Sequence, residues 1–408
     1  MRILVISNFY PPHFIGGYEL GCRDVIEELK VRGHQVCVLT SAYGVGGPRQ
    51  DGGVYRWLAT DFGSETPTGA AGLIKLSRKE TVNRRAFKRL CATFMPDLIY
   101  AWNLTHVSIS VIFLARRMGL PVCYYVSDHW LSRWESDWWY TQTNRSNRRL
   151  LIKLAWQPVK LYLRLAGLSP GPGPDLSHVQ FASLYLKRAA MEANKPVSAA
   201  EVIHWGVDTD KFTYGEASGN TGRLLYVGQI TSHKGVHTAV EALKIILEQP
   251  RHKSATLTVV GGPDYNNRIR SLVSSLGLEH NVIFTGLVAR EELPGLYHRH
   301  DIFIFPSVWE EPFSIALLEA LASGLAVVAT QTGGSPEILE SEVNALTFTK
   351  EDARGCAAQV LRFLNDAELF ERVRQNGRRT VEGRFKFNSM VDEIERSLKT
   401  LVASKAAS

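Results

Sequence analysis

Two carboxylates, Glu311 and Glu319, stand with seven apolar or small residues between them in a largely apolar stretch, Phe305 to Leu339. Ser314 is a good N-cap and Gly324 a good left-handed stop, so the spacing predicts a helix from Ile315 to Ser323. The other side chains of that helix are Ile, Ala, Leu and Ser, which suits burial on all sides. A carboxylate there is costly without a partner or a ligand. The free N–H groups of Ile315, Ala316 and Leu317, with the helix dipole, make an anion site suited to phosphate. An acid one turn beyond such a site suggests a nucleotide, with Glu319 on ribose hydroxyls. Glu311, ahead of Phe313 and Ser314, could then take hydroxyls on a group beyond the phosphates. The same spacing also fits a rim carboxylate at Glu319 and a plain first-turn acid at Glu311.

Other residues could serve the same chemistry. Lys234 lies in a short loop, Gly228 to Gly235, between a strand and a helix, a place that also suits a plain solvated lysine. Near the start, Gly16 and Gly17 close a loop that follows the first strand. Paired glycines let backbone approach a ligand, or simply make a tight turn. No G-x-G-x-x-G run is present, which argues against NAD. After the strand ending at Trp102, Asn103 and His106 are the polar side chains.

The elements that must position these residues alternate between strand and helix. Strands are expected at Arg2–Ser7, Val36–Thr40, Asp97–Trp102, Val122–Ser127, His178–Ala182 and Val202–Trp205. After a Gly/Ser/Asn-rich stretch, Tyr214 to Gly222, strands are expected at Leu224–Val227, Thr256–Gly261, Val282–Thr285, Asp301–Phe305 and Leu325–Thr330. Ser335 and Pro336 look like N-cap and N1 of another helix, and Met390 to Ala403 like a terminal helix. The expected class is α/β, with an N-terminal domain over 1–205, a second over 206–385 and a C-terminal helix over 386–408.

A chain of 408 residues with 45% hydrophobic and 21% charged residues reads as globular and large enough for two domains. Five scattered cysteines without metal spacing point to a reducing compartment. No apolar run reaches bilayer-spanning length, and nothing near Met1 reads as a signal peptide. Charge is uneven. Residues 1–205 hold 25 Lys and Arg against 15 Asp and Glu (net +10), and residues 206–408 hold 22 against 25 (net −3). Five of the nine tryptophans lie between 130 and 156. From Trp138 to Pro174 there is no acid but six basic residues: Arg145, Arg148, Arg149, Lys153, Lys160 and Arg164. That pattern fits either an interfacial helix on an anionic membrane or a solvated surface helix. Nucleic acid is not the expected partner, since the basic residues sit among Leu, Ile and Trp rather than in a known motif.

The run E-P-F-S-I-A-L-L-E-A-L-A-S-G, followed by the Gly-Gly-x-Pro-Glu turn, resembles the signature of family 4 retaining glycosyltransferases. The resemblance extends over nearly the whole chain. It implies the GT-B fold, two Rossmann-like domains facing a central cleft, with a nucleotide-sugar donor held mainly by the second. It also implies a hexosyltransferase acting on a glycan or lipid-linked acceptor, with UDP-sugar as the expected donor. No metal or other cofactor is expected; Asp208-Thr-Asp210 lies at the domain link. The expected setting is the cytoplasm, with peripheral attachment to the inner face of the plasma membrane.

By the same resemblance Lys234 touches the diphosphate, while Gln229 stands where the family has arginine. Gly286, Leu287 and Val288 form the turn that brackets the base, and Gly16 and Gly17 lie near the donor phosphates and the acceptor. Many members have a histidine where Trp102 stands here, and Asn103 or His106 would have to replace it. Glu311, Lys234 and His106 are the expected catalytic set. The alternatives are a GT-B phosphorylase, a nucleotide-sugar epimerase, or a non-catalytic, membrane-associated carbohydrate-binding protein.

Overall fold

The computed structural model describes residues 1–62, 69–137, 139–141, 161, 173–215, 220–262 and 267–407. The chain divides into two compact units. The first comprises Met1–Ala182, Leu186–Ile203 and Val391–Ser408; the second comprises Ser183–Tyr185 and His204–Met390. Most of the basic segment considered for membrane contact, including its six cations and Trp138, lies outside the described residues. Trp130, ahead of it, and Trp139, within it, are buried. Among the described residues no helix is long and apolar enough to cross a membrane.

The first unit is built on strands β1 (Arg2–Ser7), β2 (Gln35–Ser41), β3 (Arg49–Asp51), β4 (Val54–Leu58), β5 (Leu98–Asn103), β6 (Val122–Val126), β7 (Val179–Phe181) and β8 (Glu201–Val202). Their order in the sheet is β3-β4-β2-β1-β5-β6-β7-β8. Every pair is parallel except β3 with β4. A parallel sheet covered on both faces needs near-continuous apolar strands. Ile3, Leu4, Val5 and Ile6 are accordingly fully buried at the centre of the sheet. The β3–β4 hairpin, turning through Gly52 and Gly53, is absent from the sequence reading. Helix α1 (Gly17–Val31) buries Cys22, Val25, Ile26 and Leu29, one face of a 3.6-residue repeat. Helix α2 (Gly69–Phe94) and α3 (Ser110–Arg117) complete the frame used below, and α4 (Leu184–Glu192) follows β7.

The second unit has β9 (Arg223–Val227), α5 (Val236–Leu247), β10 (Thr256–Val260), α6 (Arg268–Ser275), β11 (Val282–Gly286), α7 (Leu293–His298), β12 (Ile302–Phe305), α8 (Ile315–Ala322), β13 (Ala326–Thr330) and β14 (Leu346–Phe348). Helices α9 (Ala353–Asn365), α10 (Ala367–Arg384) and α11 (Phe387–Ala407) follow. The parallel order is β11-β10-β9-β12-β13-β14. From Val391 onward α11 belongs to the first unit, where Asp392 and Glu395 pair with Arg32 at 2.6 and 3.1 Å.

Helix boundaries follow the expected caps in most places. The Ser314 hydroxyl accepts from Leu317 N–H at 3.3 Å, and Gly324 has φ +77°. The helix expected to start at Ser335 is instead a single 3-10 turn, Ser335–Glu337. Its serine hydroxyl bonds back to Thr332 O at 2.8 Å rather than capping forward.

Glycine is required at Gly235, which has φ +72°. A Cβ there would lie 1.8 Å from the carbonyl oxygen of Pro306. Gly277, in the same unit, has φ +69° with open space around it. Gly277→Ala should therefore cost about 1 kcal/mol, the conformational penalty alone. Gly235→Ala should cost clearly more, because backbone must move. Urea midpoints of the two variants test this, and equal losses would contradict the close packing at Pro306.

Candidate active site

In the second unit the candidate residues gather at the carboxyl ends of β9 to β13. The turn Ser232–Lys234 brings Lys234 Nζ to 2.5 Å from Glu311 Oε1. That turn is fastened by His233 O, which accepts from Val308 and Trp309 N–H at 3.0 Å each. Ser307 Oγ donates to the same Glu311 oxygen at 2.9 Å, and Glu311 is buried. The Gly333-Gly334 turn closes over this loop. Gly334 N–H donates to Glu311 O at 2.7 Å, and a Cβ on Gly333 would lie 2.1 Å from that oxygen. Two residues expected to serve separate groups are thus in direct contact.

Glu319 is buried, as its helix required, and Tyr297 on α7 donates to it at 3.0 Å. The partner that the sequence reading demanded is present within the protein. The hydroxyl of Ser314 takes the Leu317 N–H, whereas the N–H groups of Ile315 and Ala316 carry no hydrogen bond among the described residues. Phe313 lies against His204 and Phe385, with ring centroids 5.4 and 5.9 Å away.

Close backbone packing also shapes the β9–β11 end. A Cβ at Gly261 would fall 1.8 Å from Gly228 O, and Gly261 N–H donates to Gly286 O at 3.0 Å. Leu287 is left 84% exposed, an unusual place for leucine, next to half-buried Val288. Gln229 is exposed, and its backbone carbonyl takes the Tyr226 hydroxyl at 2.7 Å. Among the described residues no three His, Cys, Asp or Glu side chains gather as a metal site.

In the first unit Gly16 precedes α1, and Glu19 reaches back to Ile15 N–H at 3.2 Å and Gly16 N–H at 3.0 Å. The cap runs one way, since Gly16 has no side chain to return the bond, and nothing in the sequence analysis singles out Glu19. Burial pushes its carboxyl up to about 7, against the pull of those N–H groups. Trp102 is buried and packs on Tyr125 at 4.6 Å, so the family's histidine position holds a core ring. The two polar neighbours separate. Asn103 turns inward, donating to Asp128 at 2.6 Å, and Asp128 is pushed up to about 6 by burial. His106 turns outward, with Nδ1 3.1 Å from Asp61. Glu80, wholly buried on α2, accepts from Ser108 at 3.0 Å and from Ser110, and burial raises it to about 7.

The sequence model of the group 1 glycosyl transferases matches residues 209–380, and that of the glycosyl transferase 4-like domain matches 16–157. The chain belongs to glycosyltransferase family 4. An uncharacterised glycosyltransferase of Methanocaldococcus jannaschii is 26% identical over 96% of each chain. A sulfoquinovosyl transferase of Arabidopsis thaliana is 24% identical over 93% of this chain and 70% of its own. Among solved structures, sucrose-phosphate synthase from Thermosynechococcus elongatus superposes with TM-score 0.75 at 22% identity, covering 99% of both chains. An Anabaena protein solved with UDP and glucose superposes with TM-score 0.68 at 21% identity, over 98% of this chain and all of its own. This glycosyltransferase therefore has the GT-B fold, with two parallel-sheet domains.

The buried acids of the first unit make a pH prediction. Glu80 is raised above its unfolded value near 4.3, so the folded state holds the proton longer. Its contribution is complete below that value and is lost as pH rises through about 7. Wild type should accordingly lose stability relative to Glu80→Gln between pH 5.5 and 8. Seven of the nine tryptophans lie in residues 1–203, so urea unfolding by fluorescence reads this unit. A difference between the two proteins that does not change with pH would contradict the assignment.

Proposed function

We propose that the protein is a retaining hexosyltransferase that moves a sugar from a nucleoside diphosphate, foremost UDP, to a hydroxyl of a glycan or lipid-linked acceptor. The observation that carries this reading is the Lys234–Glu311 pair, beside a helix start with open N–H groups. On binding, the donor diphosphate draws Lys234 away from Glu311. The lysine and the amides of Ile315 and Ala316 then neutralise the phosphates as the bond from sugar C1 to oxygen breaks. Glu311, released, takes hydroxyls of the transferred sugar, and Glu319 with Tyr297 takes those of the ribose. Leu287 and the backbone of Gly286 to Val288 pack on the base. The acceptor oxygen bonds to C1 on the face that the diphosphate leaves, and its proton passes to the departing phosphate oxygen. No side chain is assigned as a covalent nucleophile, and the proposed charge stabilisation comes from the protein alone.

The bound UDP and glucose of the Anabaena neighbour support a uridine donor. A Mycobacterium tuberculosis relative, 28% identical over 55% of this chain and 61% of its own, is named a GDP-mannose-dependent mannosyltransferase, which makes GDP the rival.

The two glutamates test the reading. Glu319→Gln should weaken UDP binding by roughly 1–3 kcal/mol, the range for a hydrogen bond to a charged group. Glu311→Gln should lower turnover of the intact UDP-sugar without weakening UDP binding. Calorimetry with UDP and a donor-turnover assay read the two effects. Equal behaviour at both positions would overturn the assignment of roles.

A further inference from the structure

Four rings from four separate connections meet at the carboxyl edge of the first unit's sheet. Phe9 follows β1, Tyr43 follows β2, Phe62 follows β4 and His106 follows β5. Phe9 is buried and forms the base. Its centroid lies 4.8 Å from Tyr43 and 5.2 Å from Phe62, and Tyr43 and Phe62 are 5.4 Å apart. His106 stands edge-on to Phe62 at 5.2 Å. Phe62 is 38% exposed and the His106 side chain 41%. Rings normally pack away from water, yet here two of them form an open surface.

The rim of this surface is polar and fixed. Asp61 binds His106 Nδ1 at 3.1 Å and Lys79 Nζ at 2.7 Å, and its own N–H donates to His106 O at 3.1 Å. The backbone beneath is held in uncommon conformations, with φ +68° at His106 and +127° at Ser108. Asn83 Nδ2 grips Val107 O at 2.9 Å, and the Ser108 hydroxyl is tied to buried Glu80. Strain of this kind persists only where its surroundings enforce it, and it concentrates at binding sites.

We propose that Phe62, Tyr43, His106 and Asp61 form the subsite that holds a pyranose ring of the acceptor. This rests on the glycosyl-transfer reading and moves His106 from the donor to the acceptor side of the reaction. A pyranose presents one face of C–H bonds, which packs on aromatic rings, and an edge of hydroxyls, which suits a carboxylate and an imidazole. The rim discriminates among occupants. Asp61 is offset by Lys79, so the site is neutral and polar rather than basic, which disfavours a phosphate or a nucleotide. A prenyl or acyl chain would gain nothing from the fixed carboxylate and imidazole.

Saturation-transfer NMR on the full chain tests this, with methyl β-D-glucopyranoside and methyl α-D-mannopyranoside as probes. For at least one probe, saturation should fall on the C–H protons of one ring face. Phe62→Ala and His106→Ala should reduce it roughly fivefold, as for loss of an aromatic contact, while Phe62→Tyr should retain it. The thermal shift with UDP should be the same in all four proteins, showing that the donor-binding unit is intact. No saturation of either probe in wild type, or saturation unchanged in Phe62→Ala, would overturn the subsite. Displacement of the sugar by farnesyl monophosphate would overturn the choice of a sugar ring. Absence of a UDP shift in wild type would instead count against the donor reading.

Discussion

The candidate active site of the second unit depends on one charge pair, Lys234 with Glu311. Glu311 is buried, and a buried carboxylate is tolerated only with a partner and further hydrogen bonds. Lys234 and Ser307 supply them. The pair can form because backbone approaches backbone without side chains between: at Gly235 over Pro306, and at Gly333 over Glu311. Removing Lys234 from Glu311 leaves an uncompensated charge unless something else meets both groups. On the proposed reading a nucleotide-sugar does this, offering an anion to the lysine and hydroxyls to the acid. Binding and rearrangement of the pair are then one event.

The first unit carries a different load. Glu19 and Glu80 are buried and Asp128 is half-buried, and desolvation raises all three. Each is tied to the carboxyl edge of the sheet: Glu19 to Ile15 and Gly16, Asp128 to Asn103 at the end of β5, and Glu80 to Ser108. These carboxyls fix backbone that would otherwise relax. Their cost in stability is offset by the apolar packing of β1, β5 and β6.

Much of this was legible in the sequence. The strand–helix alternation, the Ser314 cap, the Gly324 stop and the buried place of Glu319 all follow from local rules, because each depends on neighbours within a turn or two. The family signature added the GT-B architecture. What could not be read was contact across the chain. The closeness of Lys234 to Glu311 depends on two loops joined through His233 and Trp309. The β3–β4 hairpin and the ring cluster of Phe9, Tyr43, Phe62 and His106 depend on strand order, which spacing does not encode. The helix expected at Ser335 failed because serine can cap forward or bond back, and here it bonds back to Thr332. Asn103 and His106 looked equivalent in sequence; only the position of Asp128 turns one of them inward.

The most direct test of the account is UDP affinity, measured by calorimetry, in wild type, Lys234→Ala and the double variant Lys234→Ala/Glu311→Gln. Lys234→Ala should weaken binding roughly tenfold or more, the scale of a lost charge-assisted bond. Adding Glu311→Gln should recover part of the loss, because it removes the buried negative charge left facing the diphosphate. UDP binding by Lys234→Ala at wild-type strength would contradict the claim that this pair is where the donor acts.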